Sequence, residues 1–246
     1  MVTNNQIKYI KSLHQRKFRQ KYNKFIVEGD KIAREILKNP IYDIESIFAT
    51  PSWIETNASK IEKHNRIIVE ILPKDMAKIS CLSTPSDVLI VLEKPNQSIE
   101  NLSEIHKCIY LDGVQDPGNV GTIIRIADWF GIDAVIRSSD TADFFHPKVI
   151  QSTMGSFLGI RLITSDVNQL KDANLPLIGT DMHGASFSDF SWPERFSLVM
   201  GSEGRGMRTE TKDLLDDVVS IKGVDGKVAE SLNVAVATGI ICGGIF

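Results

Sequence analysis

The sequence predicts an α/β protein: a mostly parallel sheet with helices on both faces in the C-terminal half, preceded by a small N-terminal α/β body. Three observations carry this expectation. Apolar strand-like runs alternate with helical runs along the chain, the rhythm of a parallel sheet covered on both sides. A polar, proline-containing stretch at 94–98 interrupts that rhythm, which then restarts, so bodies at 1–95 and 99–246 are expected. Beyond the break, three segments share one grammar of strand-like run, small-residue loop and helix-like run. They are I-Y-L-D-G-V-Q-D-P-G-N-V-G-T-I-I-R at 109–125, L-V-M-G-S-E-G-R-G-M at 198–207 and S-L-N-V-A-V-A-T-G at 231–239. Open α/β sheets bind ligands at loops that follow strands, so three such loops predict one composite pocket.

In order, Asn4 or Asn5 can cap a helix over 6–16, with Ile7, Ile10 and Leu13 on one stripe. A short strand over 25–28 ends at Gly29, and Asp30 caps a helix that stops before Pro40. Strands follow over 44–49, 67–72 and 88–93, with helices over 53–65 and 75–80 between them. After the break come a strand over 108–111, a helix over 120–130 closed by Gly131, and a strand over 134–136. A helix over 148–153, a strand over 161–164, a helix over 167–172 and strands over 177–180 and 197–200 come next. The chain finishes with a helix over 208–215, a strand over 217–221 and a helix over 233–245.

Composition is that of a soluble globular protein, with 42% hydrophobic and 24% charged residues. Three scattered cysteines exclude a disulfide framework and a zinc cluster, so a cytoplasmic setting and no metal are expected. No apolar signal core or run of roughly 20 apolar residues points to a membrane. The net charge of −3 is uneven: residues 1–38 hold ten Lys/Arg against three acids. Lys8, Lys11, Arg16 and Lys17 therefore form a candidate contact for a polyanion such as RNA, or simply a solvated helix face.

Each loop carries a polar side chain that local folding does not demand. Arg125 lies two turns into an otherwise apolar helix and needs a ligand or an ion-pair partner such as Asp128 or Glu203. Glu203 sits among three glycines in 201–206, whose backbone freedom exceeds that of a simple turn. Asn119, Ser231 and Asn233 are candidate helix caps or site residues. Neither the dinucleotide fingerprint nor the P-loop pattern is present, which excludes a nucleotide-binding dehydrogenase.

Together these residues resemble the three signature motifs of the SpoU/TrmH family of RNA ribose 2′-O-methyltransferases, in the SPOUT superfamily. The resemblance covers about 105–246 and includes F-G-I-D at 130–133; F-I-V-E-G at 25–29, after a basic helix, resembles the family's substrate-binding domain. It implies a C-terminal trefoil knot, a homodimer and S-adenosylmethionine as methyl donor. Thr180, Gly201, Ile221 and Leu232 would hold the donor. Arg125 would contact the ribose 2′-hydroxyl, its guanidinium oriented by Glu203, Ser231 and Asn233, with Asn119 helping to seat the ribose or phosphate. Ribosomal RNA is the expected substrate and transfer RNA the alternative; the other readings are a base-nitrogen methyltransferase or a non-catalytic RNA-binding or ribosome-assembly factor. The chain departs from the family pattern at Ile221-Lys222-Gly223, where Ile-Pro-Met is common, and at Gln151, where an arginine is common.

Overall fold

The computed structural model describes residues 2–38, 41–95, 99–224, 226 and 228–245. Pro40 and positions 96–98 of the expected linker lie outside them. The chain divides into two compact units, Met1–Asn96 with Phe145–Leu158, and Gln97–Phe144 with Gly159–Phe246.

The first unit runs α1 (Asn4–Ser12), α2 (Arg16–Tyr22), β1 (Lys24–Glu28), α3 (Asp30–Lys38), β2 (Ile44–Ala49), α4 (Pro51–Thr56), α5 (Ala58–Ile61), a 3-10 turn (Glu62–Ile67), β3 (Ile68–Glu70), α6 (Pro73–Ile79) and β4 (Val88–Glu93). Where one helix was expected over 6–16, the structure has two. Thr3, not Asn4 or Asn5, caps α1 in a reciprocal capping box with Gln6. The helix expected over 53–65 is likewise broken, at Asn57, into α4, α5 and the 3-10 turn. The sheet order is β1-β4-β2-β3, with β4 antiparallel to both neighbours and β2 parallel to β3. Ile10, Leu13, Ile26, Phe48, Met76 and Leu89 fill one core layer.

The second unit contains β5 (Lys107–Asp112), α7 (Pro117–Trp129), β6 (Ala134–Arg137), β7 (Arg161–Thr164), α9 (Val167–Asp172), β8 (Leu177–Ser186), β9 (Phe196–Gly201), α10 (Thr209–Lys212), β10 (Asp217–Ser220) and α11 (Val234–Ile245); α8 (Pro147–Thr153) falls between β6 and β7 in the chain. Six parallel strands follow the order β10-β8-β9-β5-β6-β7. The strands β5, β6 and β9 are almost wholly buried, as a sheet covered on both faces requires. Sequence reading left α8 with this unit, but the segment Phe145–Leu158 clusters with the first. Its Phe145 and Phe157 pack on Phe25, with ring centroids 4.7 and 6.2 Å apart, so aromatic burial decides its allegiance.

One irregularity shapes the site. The strand β10 pairs Val218 with Gly179, then Val219 with Ala185, so β8 bows out over 180–184. It returns at Gly184, where a Cβ would lie 2.6 Å from the Val218 carbonyl oxygen, closer than any side chain fits. This strand, expected over 177–180, is consequently longer.

Candidate functional site

The first loop leaves β5 at Asp112 and enters α7. Pro117 occupies the first turn, where its missing N–H costs nothing, and Asp116 is the cap: its Oδ1 accepts the Asn119 backbone N–H at 2.9 Å. Asn119, a cap candidate from sequence, therefore has its side chain free. It donates from Nδ2 to Glu203 Oε1 and accepts at Oδ1 from Asn233 Nδ2, 3.0 Å away. Asn233 caps α11, its Oδ1 accepting from Ala235 and Val236 backbone N–H groups at 3.0 and 3.2 Å. That cap fixes the direction of the chain of bonds. With its oxygen committed to the helix, Asn233 must offer N–H to Asn119, and Asn119 must offer N–H to the carboxylate.

The second loop folds back on itself. Gly201 closes it tightly, since a Cβ there would meet Gly206 C and Met207 N at 2.4 Å. Ser202 and Gly206 exchange backbone hydrogen bonds at 3.1 and 2.8 Å, leaving Glu203 at the turn. Just beyond, Arg208 binds Asp112, whose side chain is fully buried. Burial works against the Arg208 charge, but the hydrogen bonds and charge of Asp112 more than offset it and its pKa rises. Neighbouring Asp140, 3.5 Å from Arg208, is held below the usual carboxylate range by its hydrogen bond with Ser138 and by nearby arginines.

The second loop, the bow in β8, the segment after β10 and the start of α11 line a cavity of about 500 Å³. Thr180, Gly201, Ile221 and Leu232 all line it, as do Glu203 and Ser231. Met200, Val219, Val234 and Ile241 supply apolar wall; Asp181, Glu203 and Glu230 outnumber Lys222, so the lining is net acidic. The Thr180 hydroxyl is turned to the Val199 carbonyl at 3.1 Å. Burial pushes the thiols of Cys108 and Cys242 up to about 12, and that of Cys81 up to about 11, so none is a thiolate nucleophile near neutral pH.

Arg125 was expected to be held by Glu203, Ser231 and Asn233. Instead the polar chain centres on Asn119, and Arg125 stands exposed on the Thr122–Trp129 side of α7. Among the described residues it forms no ion pair with Asp128 or Glu203, so the purely structural role considered for it is not taken up. Lys8 and Lys11 are exposed on α1, whereas Arg16 and Lys17 open the separate helix α2. Cations in a first turn oppose the helix dipole, so the helix itself does not favour them there.

Sequence reading missed Asp112, Arg208, Asp181, Lys222 and Glu230. Only Asp112 carried a signal, an acid at the end of an apolar strand before a glycine; the others become visible once the strand order is known.

Residues 106–243 match the model of the SpoU rRNA Methylase family, and residues 4–89 match that of an MRM3-like substrate binding domain. The chain is 35% identical, over 97% of its length and 94% of the relative's, to the 23S rRNA (guanosine(2553)-2′-O)-methyltransferase RlmP of Bacillus subtilis. Among solved structures it is similar to a TrmH-family protein from Porphyromonas gingivalis, with a TM-score of 0.87, 35% identity and coverage of 99% of this chain and 98% of that one. It is also similar to an AdoMet-bound rRNA methyltransferase from Sinorhizobium meliloti, with a TM-score of 0.86, 27% identity and coverage of 99% and 95%.

Proposed function

The chain belongs to the SpoU rRNA methylase family, and from that membership we propose that it transfers a methyl group from S-adenosylmethionine to a ribose 2′-hydroxyl of ribosomal RNA. The observation that supports this reading is that the second and third loops line one cavity, while the first is joined to both through the Glu203–Asn119–Asn233 chain of hydrogen bonds.

The residues present fit the donor. The cavity is within the roughly 300–1,000 Å³ that holds a small ligand, and its excess of carboxylates suits a molecule carrying sulfonium and ammonium charges. Thr180, Gly201, Ile221 and Leu232 would hold it, largely through backbone. The donor supplies a methyl already activated by a positive sulfur. What remains for the protein is positioning and the handling of one proton.

Arg125 is not suited to be a general base, since a guanidinium is a donor with no acceptor lone pair to offer. As an exposed cation with no ion-pair partner among the described residues, it is suited to stabilise negative charge as it develops on the 2′-oxygen. Asn119, Glu203 and Asn233 form one directional unit that would fix the acceptor side of the site, with Ser231 beside it. Lys8, Lys11, Arg16 and Lys17 would bind the RNA backbone through the 1–95 body, while the 99–246 body carries catalysis.

A second copy would cover α7 and α11. These helices pack together yet leave Trp129 83%, Val236 52% and Ile240 40% exposed, an apolar face a monomer rarely shows. The trefoil threading belongs to the same reading: β10 is the edge strand, yet α11 returns to pack on α7 and central β9. A cytoplasmic location in bacteria follows from the substrate, and no helix among the described residues is long and apolar enough to cross a membrane.

Relatives named for guanosines of 23S rRNA favour ribosomal over transfer RNA, and a guanosine as the target. The test is methyl transfer to unmodified 23S rRNA, 16S rRNA and tRNA transcripts in parallel. The reading expects 23S rRNA to be labelled first; labelling of tRNA alone would replace the substrate, and labelling of none would refute the activity.

A further inference from the structure

An aromatic pair on α2 of the first unit lies outside its buried core layer. Phe18 and Tyr22, one turn apart on α2, have nearly parallel rings, 12° between planes and 6.2 Å between centroids. Tyr9 of α1 meets Tyr22 edge-on at 5.3 Å and 75°, and its hydroxyl donates to Glu45 at 3.3 Å, which braces the group from beneath. Tyr22 is 38% exposed, and α2 ends directly after it at left-handed Asn23. Neither Phe18 nor Tyr22 belongs to the buried layer of Ile10, Leu13 and Phe48.

Each of the two rings carries an ammonium. Lys17 Nζ lies 4.9 Å from the Phe18 centroid and Lys21 Nζ 5.4 Å from that of Tyr22. Neither lysine has an ion-pair partner among the described residues. The ring faces are thus open enough to take a cation, and the cations are uncommitted. A nucleobase stacked on an aromatic ring gains more than a lysine resting on it at the surface. A lysine displaced from the ring would find a phosphate within its reach.

We propose that Phe18 and Tyr22 form a stacking platform for an unpaired RNA base, with Lys17 and Lys21 taking the flanking phosphates. The proposal rests on the reading of the first unit as an RNA-binding body and narrows it: the unit prefers unpaired nucleotides over continuous duplex. In A-form duplex the bases are stacked on one another, so their faces are not open to an aromatic side chain.

The test is anisotropy of a labelled single-stranded RNA decamer, and of the same strand in a duplex, with the full chain. The Phe18→Leu/Tyr22→Leu variant keeps apolar bulk but removes both rings. It should bind the single strand roughly tenfold more weakly, with duplex affinity unchanged and the salt slope intact, because no charge is lost. Tyr22→Phe keeps the ring and should match wild type, which separates loss of stacking from loss of folding. Lys17→Gln/Lys21→Gln should weaken both ligands and flatten the salt slope. Equal loss on both ligands, or no loss, in the leucine variant would overturn the platform while leaving the RNA-binding role standing. If the wild-type chain bound neither ligand, both would fall.

Discussion

Arg208 closes the Glu203 loop on Asp112, the strand partner of the Gly201 from which that loop departs. Asp112 pairs with Gly201 in the β5–β9 register, and its buried carboxylate then receives Arg208 Nε at 2.6 Å and Nη2 at 2.5 Å on one oxygen and the Arg208 backbone N–H at 2.7 Å on the other. The segment between is therefore a ring tied at both ends to Asp112. Removing one partner of a buried pair strands the other charge. Arg208→Met should cost about 3 kcal/mol, at the low end because Arg208 is itself part-exposed. Adding Asp112→Asn should recover part of it in urea unfolding; a loss under about 0.5 kcal/mol for Arg208→Met would show that the pair does not secure the loop.

The glycines of this loop are not equivalent. A Cβ at Gly201 would collide with loop backbone at 2.4 Å, whereas one at Gly204 meets nothing within 4 Å. Gly201→Ala should abolish calorimetric binding of S-adenosylmethionine, and Gly204→Ala should leave it unchanged. Equal affinities would mean that the fold-back at Gly201 does not shape the donor site.

The bonds through Asn119 run one way, so its amide is needed, not just its size. Asn119→Asp would set a carboxylate against Glu203, and like charges share a proton only at raised pKa. We expect kcat/KM to fall at least about tenfold at neutral pH, with the deficit shrinking as pH is lowered. Wild-type turnover across the pH range would remove Asn119 from the site.

How far the sequence reveals this arrangement depends on the distance over which each contact acts. Thr180, Gly201, Ile221 and Leu232 were legible as one group through the resemblance of the loops to the family's motifs, whereas the rule that loops after parallel strands gather at one edge of a sheet predicted only a composite pocket. The hydrogen bonding of Asn119 was not, because the sequence offers it as a cap, whereas the helix begins at Pro117 and Asp116 takes that place. The Asp112–Arg208 pair spans most of the domain in sequence and exists only because β5 and β9 are neighbours. The bow in β8 depends on a close approach at Gly184 that no local pattern announces. Segment 145–158 joins the first unit through Phe145 and Phe157, whose partners Phe25 and Tyr42 lie more than a hundred residues away.

His14 should make the first unit acid-sensitive. Its ring Nε2 lies 3.0 Å from the Ile79 carbonyl oxygen. Burial, aided by the Lys11 and Arg19 charges, lowers its pKa from the ordinary 6.5, outweighing the opposing pull of Ile79 and Glu28. The unfolded chain then binds a proton that the fold resists, so stability is full above the unfolded value and declines as pH falls below it, until the folded ring protonates too. Urea unfolding should show a loss as pH falls below about 6.5 that is smaller in His14→Gln. Identical pH profiles would assign the loss to other groups.

The most direct test of ribose methylation is the alkali resistance of the labelled product. Ribosomal RNA is incubated with the protein and S-adenosylmethionine carrying a labelled methyl, then hydrolysed in alkali. Cleavage needs a free 2′-hydroxyl beside the phosphate, so a methylated ribose leaves its label in an alkali-stable dinucleotide, whereas a methylated base leaves it in a mononucleotide. The account predicts dinucleotide label with the wild-type chain and its near-complete loss with Arg125→Lys, which keeps the charge but not the planar fork. Label in mononucleotides, or undiminished dinucleotide label with Arg125→Lys, would contradict it.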